Sequence, residues 1–321
     1  IMPAVRETME NVKNNGDKVL LEKGQKRFGL ENYTSIQVTK EEIQRAYKEV
    51  DARFITSIKQ MIRNITTVHK AQLPTKKDTV VEPLVGITVW REWRPIEKVG
   101  LYIPGGKAIY PSSVLMSTIP AQIAGCKDII MCSPPRGNGQ IPAPTLVAAD
   151  MIGIFKIFKV GGAEAIAAMT YGSETIPKVY KIFGAGNSYV TAAKMIALET
   201  ISIDMPAGPS EVFIIADESA NPAYIAADLL ADGEHGEDSA CVLITTSRVV
   251  AEQTIKEVEK QLPLLATESR ARESLKKYGL FAVVTTINEA IEFTNEYAPE
   301  HLEIMTKSPE SVVKKISNAG S

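Results

Sequence analysis

The sequence predicts an α/β protein with parallel, doubly wound sheets, preceded by a helical segment. From residue 99 onward, short apolar runs alternate with Ala-rich stretches of helical periodicity in units of roughly 30 residues. This is the pattern of a parallel sheet covered by helices on both faces. About seven apolar runs are present, which is more than one mononucleotide-binding half requires and predicts two doubly wound units. The Pro- and Gly-rich stretch 205–210 is the best internal boundary.

The chain before residue 99 is predicted to be largely helical. Thr39 and Glu42 have the spacing of a capping box, in which each side chain accepts from the other residue's backbone N–H. Apolar residues then recur at helical spacing from Ile43 to Val68, which predicts one long amphipathic helix. We expect it to end at Leu73, because the residue before a proline avoids the helical conformation.

The remaining strands and helices are predicted from the alternation of apolar runs with stretches of helical periodicity. Apolar runs predict strands at 99–103, 128–132, 155–160, 179–183, 211–216, 241–245 and 280–284. Periodic stretches between them predict helices at 111–124, 143–152, 162–171, 187–198, 221–232 and 249–261.

The composition excludes several classes of function. The 36 Lys and Arg residues nearly balance the 38 Asp and Glu residues, so a net charge of −2 gives no general attraction to nucleic acid or anionic membranes. No apolar run approaches the ~20 residues of a membrane span, and no signal peptide is visible. Three widely spaced cysteines argue against a disulfide framework and predict a cytoplasmic protein. Because the chain begins at Ile1 rather than Met, we expect it to be a trimmed part of a longer protein.

Three glycine-bearing loops follow predicted strands and open predicted helices. They are Tyr102-Ile-Pro-Gly-Gly-Lys107, Val160-Gly-Gly-Ala-Glu164 and Gly184-Ala-Gly-Asn187. Glycine lets backbone N–H groups approach a phosphate at a helix N-terminus, where the helix dipole favours an anion. A structural turn is the alternative for each loop taken alone, and the G-x-G-x-x-G fingerprint is absent. Together the loops predict a nucleotide site beyond the carboxyl ends of the strands.

Two histidine-containing segments are candidates for chemistry. Asp232 and His235 are three residues apart at the end of a predicted helix, so both side chains can lie on one side and offer ligands that suit Zn²⁺. A solvated helix end is the alternative, and two ligands do not complete a tetrahedral site. Glu300 and His301 follow Pro299, where we expect a helix to begin, and can act as two separate proton carriers.

Five sequence blocks, in this order, resemble the signatures of the histidinol dehydrogenase family. They are Gly100-Leu-Tyr-Ile-Pro-Gly-Gly106, Phe183-Gly-Ala-Gly-Asn187, Ile203-Asp-Met-Pro-Ala-Gly-Pro-Ser-Glu-Val212, Ala227-Asp-Leu-Leu with Glu234-His-Gly236, and Ala298-Pro-Glu-His-Leu-Glu303. The resemblance covers essentially the whole chain. It implies a cytoplasmic, zinc-dependent homodimer that oxidises L-histidinol to L-histidine through an aldehyde in two NAD⁺-dependent steps, ending histidine biosynthesis. It also implies two Rossmann-like domains, one inserted into the other.

The resemblance also assigns residues to roles. Tyr102, Asn187 and Glu164 fall at NAD contacts, and Ser210 falls at a substrate position. Asp232 and His235 fall at zinc positions that also hold substrate. Glu300 and His301 fall at the catalytic acid–base pair, His301 also contacting substrate. The implied domains are 1–100 plus 217–321, which carries the metal and catalytic residues, and an inserted NAD-binding domain at 101–216.

This chain departs from the family pattern at three positions. The family usually has Gln at the positions of Glu164 and Asp232, and Gly-Pro-Gly where this chain has Gly184-Ala-Gly. In the family, the chain continues past Gly320 into a segment with a further Asp zinc ligand, and a later tail His comes from the partner subunit. We expect an active site shared between two subunits.

Two other functions are compatible with these residues. Asp232 and Glu164 favour a related zinc- and NAD-dependent dehydrogenase of another amino- or sulfo-alcohol. Missing ligands favour a degenerate homologue kept for dimerisation or ligand binding. Nucleic-acid binding is disfavoured, because no basic stripe or cluster of stacking aromatic residues is present.

Overall fold

A computed structural model describes residues 1–29, 33–74, 79–105, 109–206 and 208–321. The chain divides into two compact units, Ile1–Ala207 and Gly208–Ser321. None of the helices in these described ranges combines the length and apolar character that crossing a membrane requires.

Three helices and a hairpin precede the first sheet. The helices are α1 (Met2–Phe28), α2 (Lys40–Glu49) and α3 (Ala52–Gln72), and the hairpin is β1 (Val81–Leu84) and β2 (Ile87–Val89). The capping box of Thr39 and Glu42 is confirmed, and so is the helix end at Leu73. The prediction of one continuous helix is wrong. Val50 is extended and the Asp51 carboxylate accepts from the Phe54 N–H at 2.6 Å, so a new helix begins there.

The first unit contains a five-stranded parallel sheet with the strand order β5-β4-β3-β6-β7. Its direction of winding reverses between β3 and β6, as in a doubly wound fold. The two predicted runs at 155–160 and 179–183 form shorter strands than expected. The elements are β3 (Lys98–Tyr102), α4 (Pro111–Ala124), β4 (Asp128–Cys132), α5 (Ala143–Met151), β5 (Ile157–Phe158), α6 (Gly162–Tyr171), β6 (Lys181–Phe183), α7 (Ser188–Ala197) and β7 (Ser202–Ile203).

The second unit contains a four-stranded parallel sheet with the order β10-β9-β8-β11 and a reversal between β8 and β11. A 3-10 helix, Leu262–Leu264, lies between α9 and α10. The elements are β8 (Glu211–Ala216), α8 (Pro222–Gly233), β9 (Ala240–Thr245), α9 (Arg248–Gln261), α10 (Glu268–Tyr278), β10 (Gly279–Val283), α11 (Ile287–Tyr297), β11 (His301–Met305) and α12 (Pro309–Val313).

The expected helix start at Glu300 and His301 is wrong, because His301 begins a strand. β11 pairs with β8 in parallel, with His301 opposite Val212. The side chains of β8 alternate between two apolar clusters, and this burial on both faces explains why the strand needs β11 as a partner. Val212 and Ile214 pack into one apolar cluster, and Phe213 and Ile215 pack into the cluster on the other face. A central strand buried on both faces needs hydrogen-bonded neighbours on both edges.

The N-terminal helices belong to the first unit. Helix α1 packs against α6, α2 against α5, and α3 against α4. Buried Val5, Met9 and Val12 of α1 share one apolar cluster with the alanines of α6. This grouping differs from the predicted domains, in which residues 1–100 joined 217–321. It differs also at β8, which was assigned to the inserted domain and lies in the second sheet.

Candidate active site

The glycine-bearing loops of the first unit converge on Tyr102, the last residue of β3. The Gly162 N–H donates to the Tyr102 hydroxyl oxygen at 3.1 Å. Gly184 has a φ of +125°, and a Cβ there would overlap the backbone carbonyl of Tyr102. All three loops therefore lie at the carboxyl edge of the sheet, where its winding reverses. Gly106 and Lys107 of the first loop lie outside the described residues.

Two helices begin at this edge. Asn187 caps α7, its side-chain oxygen accepting from the N–H groups of Tyr189 and Val190. Glu164 lies in the first turn of α6, where the helix dipole favours a carboxylate. Its carboxylate oxygen lies 3.0 Å from the Lys23 ammonium of α1. The negative charge at residue 164 is thus paired with a cation.

These features fit a dinucleotide. The N-termini of α6 and α7 favour phosphate groups at this edge. Glycine at 184 lets the third loop pack closely against the Tyr102 backbone. The Ser133 hydroxyl follows β4 at the same edge, is buried, and has no hydrogen-bond partner in the part of the chain that the structure describes. Burial also raises the pKa of the Tyr102 hydroxyl, which keeps this side chain neutral.

Residues of the second unit gather around Asp232, at the end of α8. The His235 Nδ1 atom lies 3.8 Å from the Asp232 carboxylate, whose side chain is only 20% exposed. Burial raises the pKa of Asp232, and the nearby Glu300 raises it further, whereas His235 and His301 oppose the increase. The structure therefore places Asp232 and His235 close enough to Glu300 and His301, which are distant in sequence, for the charges of these side chains to interact.

A strained turn delivers Glu300 and His301 to this site. Ala298 ends α11 with a φ of +56°, a left-handed conformation that is unusual for a residue other than glycine. The Glu211 N–H donates to the Glu300 carboxylate at 3.2 Å, and the Glu300 N–H donates to the Glu211 carboxylate at 3.4 Å. His301 Nδ1 lies 2.9 Å from the Ser321 hydroxyl oxygen. Glu300 and His301 are both exposed at the surface of the unit.

The site lies at the amino edge of the second sheet. Ser210 directly precedes β8, and its carbonyl accepts from the Ala240 N–H at the start of β9. His301 begins β11 at the same edge. Only the glycine loops of the first unit therefore lie at a carboxyl edge, where we expect ligands, whereas these residues of the second unit lie at an amino edge.

Comparison with known proteins identifies the family. The sequence profile named "Histidinol dehydrogenase" matches residues 1–321. Histidinol dehydrogenase of Bacteroides fragilis strain YCH46 is 50% identical over 322 residues, covering 100% of this chain and 74% of the relative. This chain belongs to the histidinol dehydrogenase family. The enzyme of Methanothermobacter thermautotrophicus is 44% identical, again covering 100% of this chain and 75% of the relative.

Solved structures agree with this family. The crystal structure of histidinol dehydrogenase from Elizabethkingia anophelis superposes with a TM-score of 0.94 at 45% identity, covering 99% of this chain and 72% of that one. An acetylating aldehyde dehydrogenase from Geobacillus thermoglucosidasius shares the fold alone, with a TM-score of 0.52 at 14% identity, covering 99% of this chain and 85% of that one.

Sequence reasoning missed two carboxyl groups beside the family's expected zinc position. Glu303 hydrogen bonds with Asp228, and burial together with this neighbour raises the pKa of Glu303 to about 7. Two spacings could have revealed them. Glu303 lies two residues after His301 on a strand, and Asp228 lies one helical turn before Asp232.

The donor set fits part of a zinc site. A half-buried carboxylate, Asp232, and an imidazole, His235, are both ligands that Zn²⁺ prefers. Within the described ranges, no group of three or more His, Cys, Asp or Glu side chains is arranged to hold a metal ion. The structure thus offers two protein ligands for the ion that the family implies.

Proposed function

We propose that this protein is a zinc-dependent histidinol dehydrogenase, which oxidises L-histidinol through L-histidinal to L-histidine in two NAD⁺-linked steps. The observation that carries the proposal is the gathering of Asp232, His235, Glu300 and His301 at one edge of the second sheet. We also propose a cytoplasmic homodimer with a shared active site. The three free cysteines support a reducing compartment.

The substrate would be oriented by the residues around Asp232. Asp232 and His235 would hold zinc, and Ser210 would contact the substrate beside β8. When bound, zinc supplies positive charge and open coordination positions for the nitrogen atoms of the substrate. The crowded carboxyl groups of Asp228 and Glu303 lie beside this position, and the positive charge of a cation or a protonated amine would offset their mutual repulsion.

The cofactor would occupy the glycine-loop edge of the first unit. Tyr102, Glu164 and Asn187 are the residues that we assign to it. When bound, NAD⁺ accepts the hydride in each oxidation. The Lys23 ammonium, 3.0 Å from Glu164, limits repulsion between that carboxylate and a pyrophosphate group.

Proton transfer would be divided between two residues. His301 would take the alcohol proton in the first oxidation, and the contact of its Nδ1 atom with the Ser321 hydroxyl would fix the orientation of the ring. Glu300 would activate water for the second oxidation, its carboxylate held in place by the Glu211 N–H. This division of tasks follows the family's pattern, and the different hydrogen-bond partners of the two side chains are compatible with it.

The test is to follow both oxidations separately, starting from L-histidinol and from L-histidinal. We expect Glu300→Gln to spare the first oxidation and to slow the second by at least about a hundredfold, and His301→Asn to slow both. Glu296→Gln, an exposed residue on α11, is the matched control. Equal losses in the two oxidations of Glu300→Gln would contradict the division, and wild-type protein that forms no NADH from L-histidinol would contradict the proposed function.

A second candidate is a dehydrogenase of another amino- or sulfo-alcohol that uses the same residues. Asp232 favours it, because a carboxylate is shorter and more negative than the Gln usual in the family. Turnover of L-histidinol against such alcohols decides between them, and metal analysis of the purified protein tests the further alternative of a non-catalytic homologue.

A further inference from the structure

An ion pair between a buried lysine and a partly exposed aspartate lies beside the Gly184-Ala-Gly186 loop of the first unit. Lys194 is on α7 and is only 2% exposed. Its ammonium nitrogen donates to the Gly184 carbonyl oxygen at 2.8 Å and forms an ion pair with Asp204. Lysine is almost never this buried unless its charge is paired. Neither residue is assigned a role by the sequence, although Asp204 lies within the block 203–212.

Asp204 completes a clamp on a single glycine. Its second carboxylate oxygen accepts from the Gly184 N–H at 2.7 Å. Its own backbone N–H donates to the Ile182 carbonyl oxygen at 3.0 Å, which anchors it to the end of β6. Both backbone polar groups of Gly184 are therefore held by charged side chains, one from α7 and one from the segment after β7.

Gly184 is closely confined at this edge. Gly184 has a φ of +125°, where side chains are strained, and it packs against the backbone of Tyr102. Its position sets the path of the chain into Asn187, which caps α7. A shift of Gly184 would change the positions of both Tyr102 and the α7 N-terminus.

General stability does not account for such a pair. Replacing a buried ion pair by apolar side chains of similar volume is often neutral or stabilising. The opposite charges of Lys194 and Asp204 offset each other, so the pair adds little net attraction for a phosphate. The remaining role of the pair is to fix the position of Gly184.

We infer that Lys194 and Asp204 are positioning residues, which hold Gly184 and thereby set the loop that receives the pyrophosphate of NAD⁺. This inference rests on the proposed function for its ligand. Lys194→Met keeps an unbranched side chain of nearly the same length and removes the ammonium. Asp204→Asn keeps an acceptor for the Gly184 N–H and removes the charge.

The experiment measures NAD⁺ binding to the full chain by calorimetry, without turnover. We expect Lys194→Met to raise the Kd for NAD⁺ at least about tenfold, or about 1.4 kcal/mol. Asp204→Asn should raise it less. The Kd of the double variant should rise by less than the product of the two single-variant increases, because each change already breaks the same ion pair between Lys194 and Asp204.

A matched control separates positioning from loss of stability. Ile58→Ala truncates a buried side chain on α3, within the apolar cluster of the same unit. It should lower the melting temperature yet change the Kd for NAD⁺ by less than about twofold. Hydrogen exchange of residues 184–187 without NAD⁺ supplies a readout that needs no cofactor. Lys194→Met should accelerate exchange there, and Ile58→Ala should not.

The outcomes are distinguishable. If wild-type protein binds NAD⁺ and Lys194→Met binds it equally well, with unchanged exchange in the loop, the inference is overturned and the proposed function stands. If wild-type protein does not bind NAD⁺, the proposed cofactor and its link to this pair are both overturned. The exchange measurement then decides whether Lys194 holds the loop at all.

Discussion

Replacing Glu303 with Gln should stabilise the protein at alkaline pH and have little effect at acidic pH. Burial and the neighbouring Asp228 raise the pKa of Glu303 from its ordinary value of 4.5 to about 7. Each pH unit between the two pKa values corresponds to about 1.36 kcal/mol, so the upper limit of the effect on the free energy of unfolding is about 3.4 kcal/mol. Glu303 is partly exposed, and solvent screening reduces this limit to about 1–2 kcal/mol.

The sign follows from proton binding. Between pH 4.5 and about 7 the folded protein binds more protons at Glu303 than the unfolded chain does, so wild-type stability falls as pH rises through this window. Below pH 4.5 the carboxyl is protonated in both states and contributes nothing. Gln carries no charge and can still donate to Asp228, so the variant escapes this loss.

Urea denaturation at pH 4.5 and pH 8, with metal removed by a chelator, measures the difference. The stability gained by Glu303→Gln should be near zero at the lower pH and about 1–2 kcal/mol at the higher pH. Glu296→Gln, which removes the same charge from an exposed position, should show no such dependence. A gain for Glu303→Gln that is the same at both pH values would refute the reasoning.

Two further predictions concern the neighbouring features. Ala298→Gly should raise the free energy of unfolding by about 0.5–1 kcal/mol in urea denaturation, because glycine adopts the left-handed conformation without strain; an unchanged or lower value would show that the turn is not strained. Lys23→Met should raise the Kd for NAD⁺ about threefold in calorimetry, because Glu164 loses its paired cation, and adding Glu164→Gln should restore binding. Failure of the second change to restore binding would mean that Lys23 acts in another way.

Local features of the fold could be predicted from the sequence. The capping box of Thr39 and Glu42 involves atoms three residues apart, and the strand at β8 is marked by continuous apolar residues between turns. The break at Asp51 was missed because the apolar spacing continues across it. The new helix is capped by one carboxylate, that of Asp51, and the break leaves the apolar periodicity of the sequence almost unchanged.

Long-range contacts limited the prediction of the site. His301 was expected in a helix, because nothing in its own segment reveals that it pairs beside Val212. The carboxyl neighbours Asp228 and Glu303 belong to different elements and meet only after the second sheet forms. The pairing of Lys194 with Asp204 across Gly184 likewise depends on the packing of α7, so residue spacing alone does not indicate it.

A double-mutant cycle tests the central claim most directly, namely that two distant segments form one catalytic site. The measurement is kcat/KM for L-histidinol in Asp232→Asn, His301→Asn and the combined variant. We predict that each single change costs at least about a hundredfold and that the double variant loses little more than the worse single one. Losses that multiply in the double variant would show that the two residues act independently, contrary to a shared site.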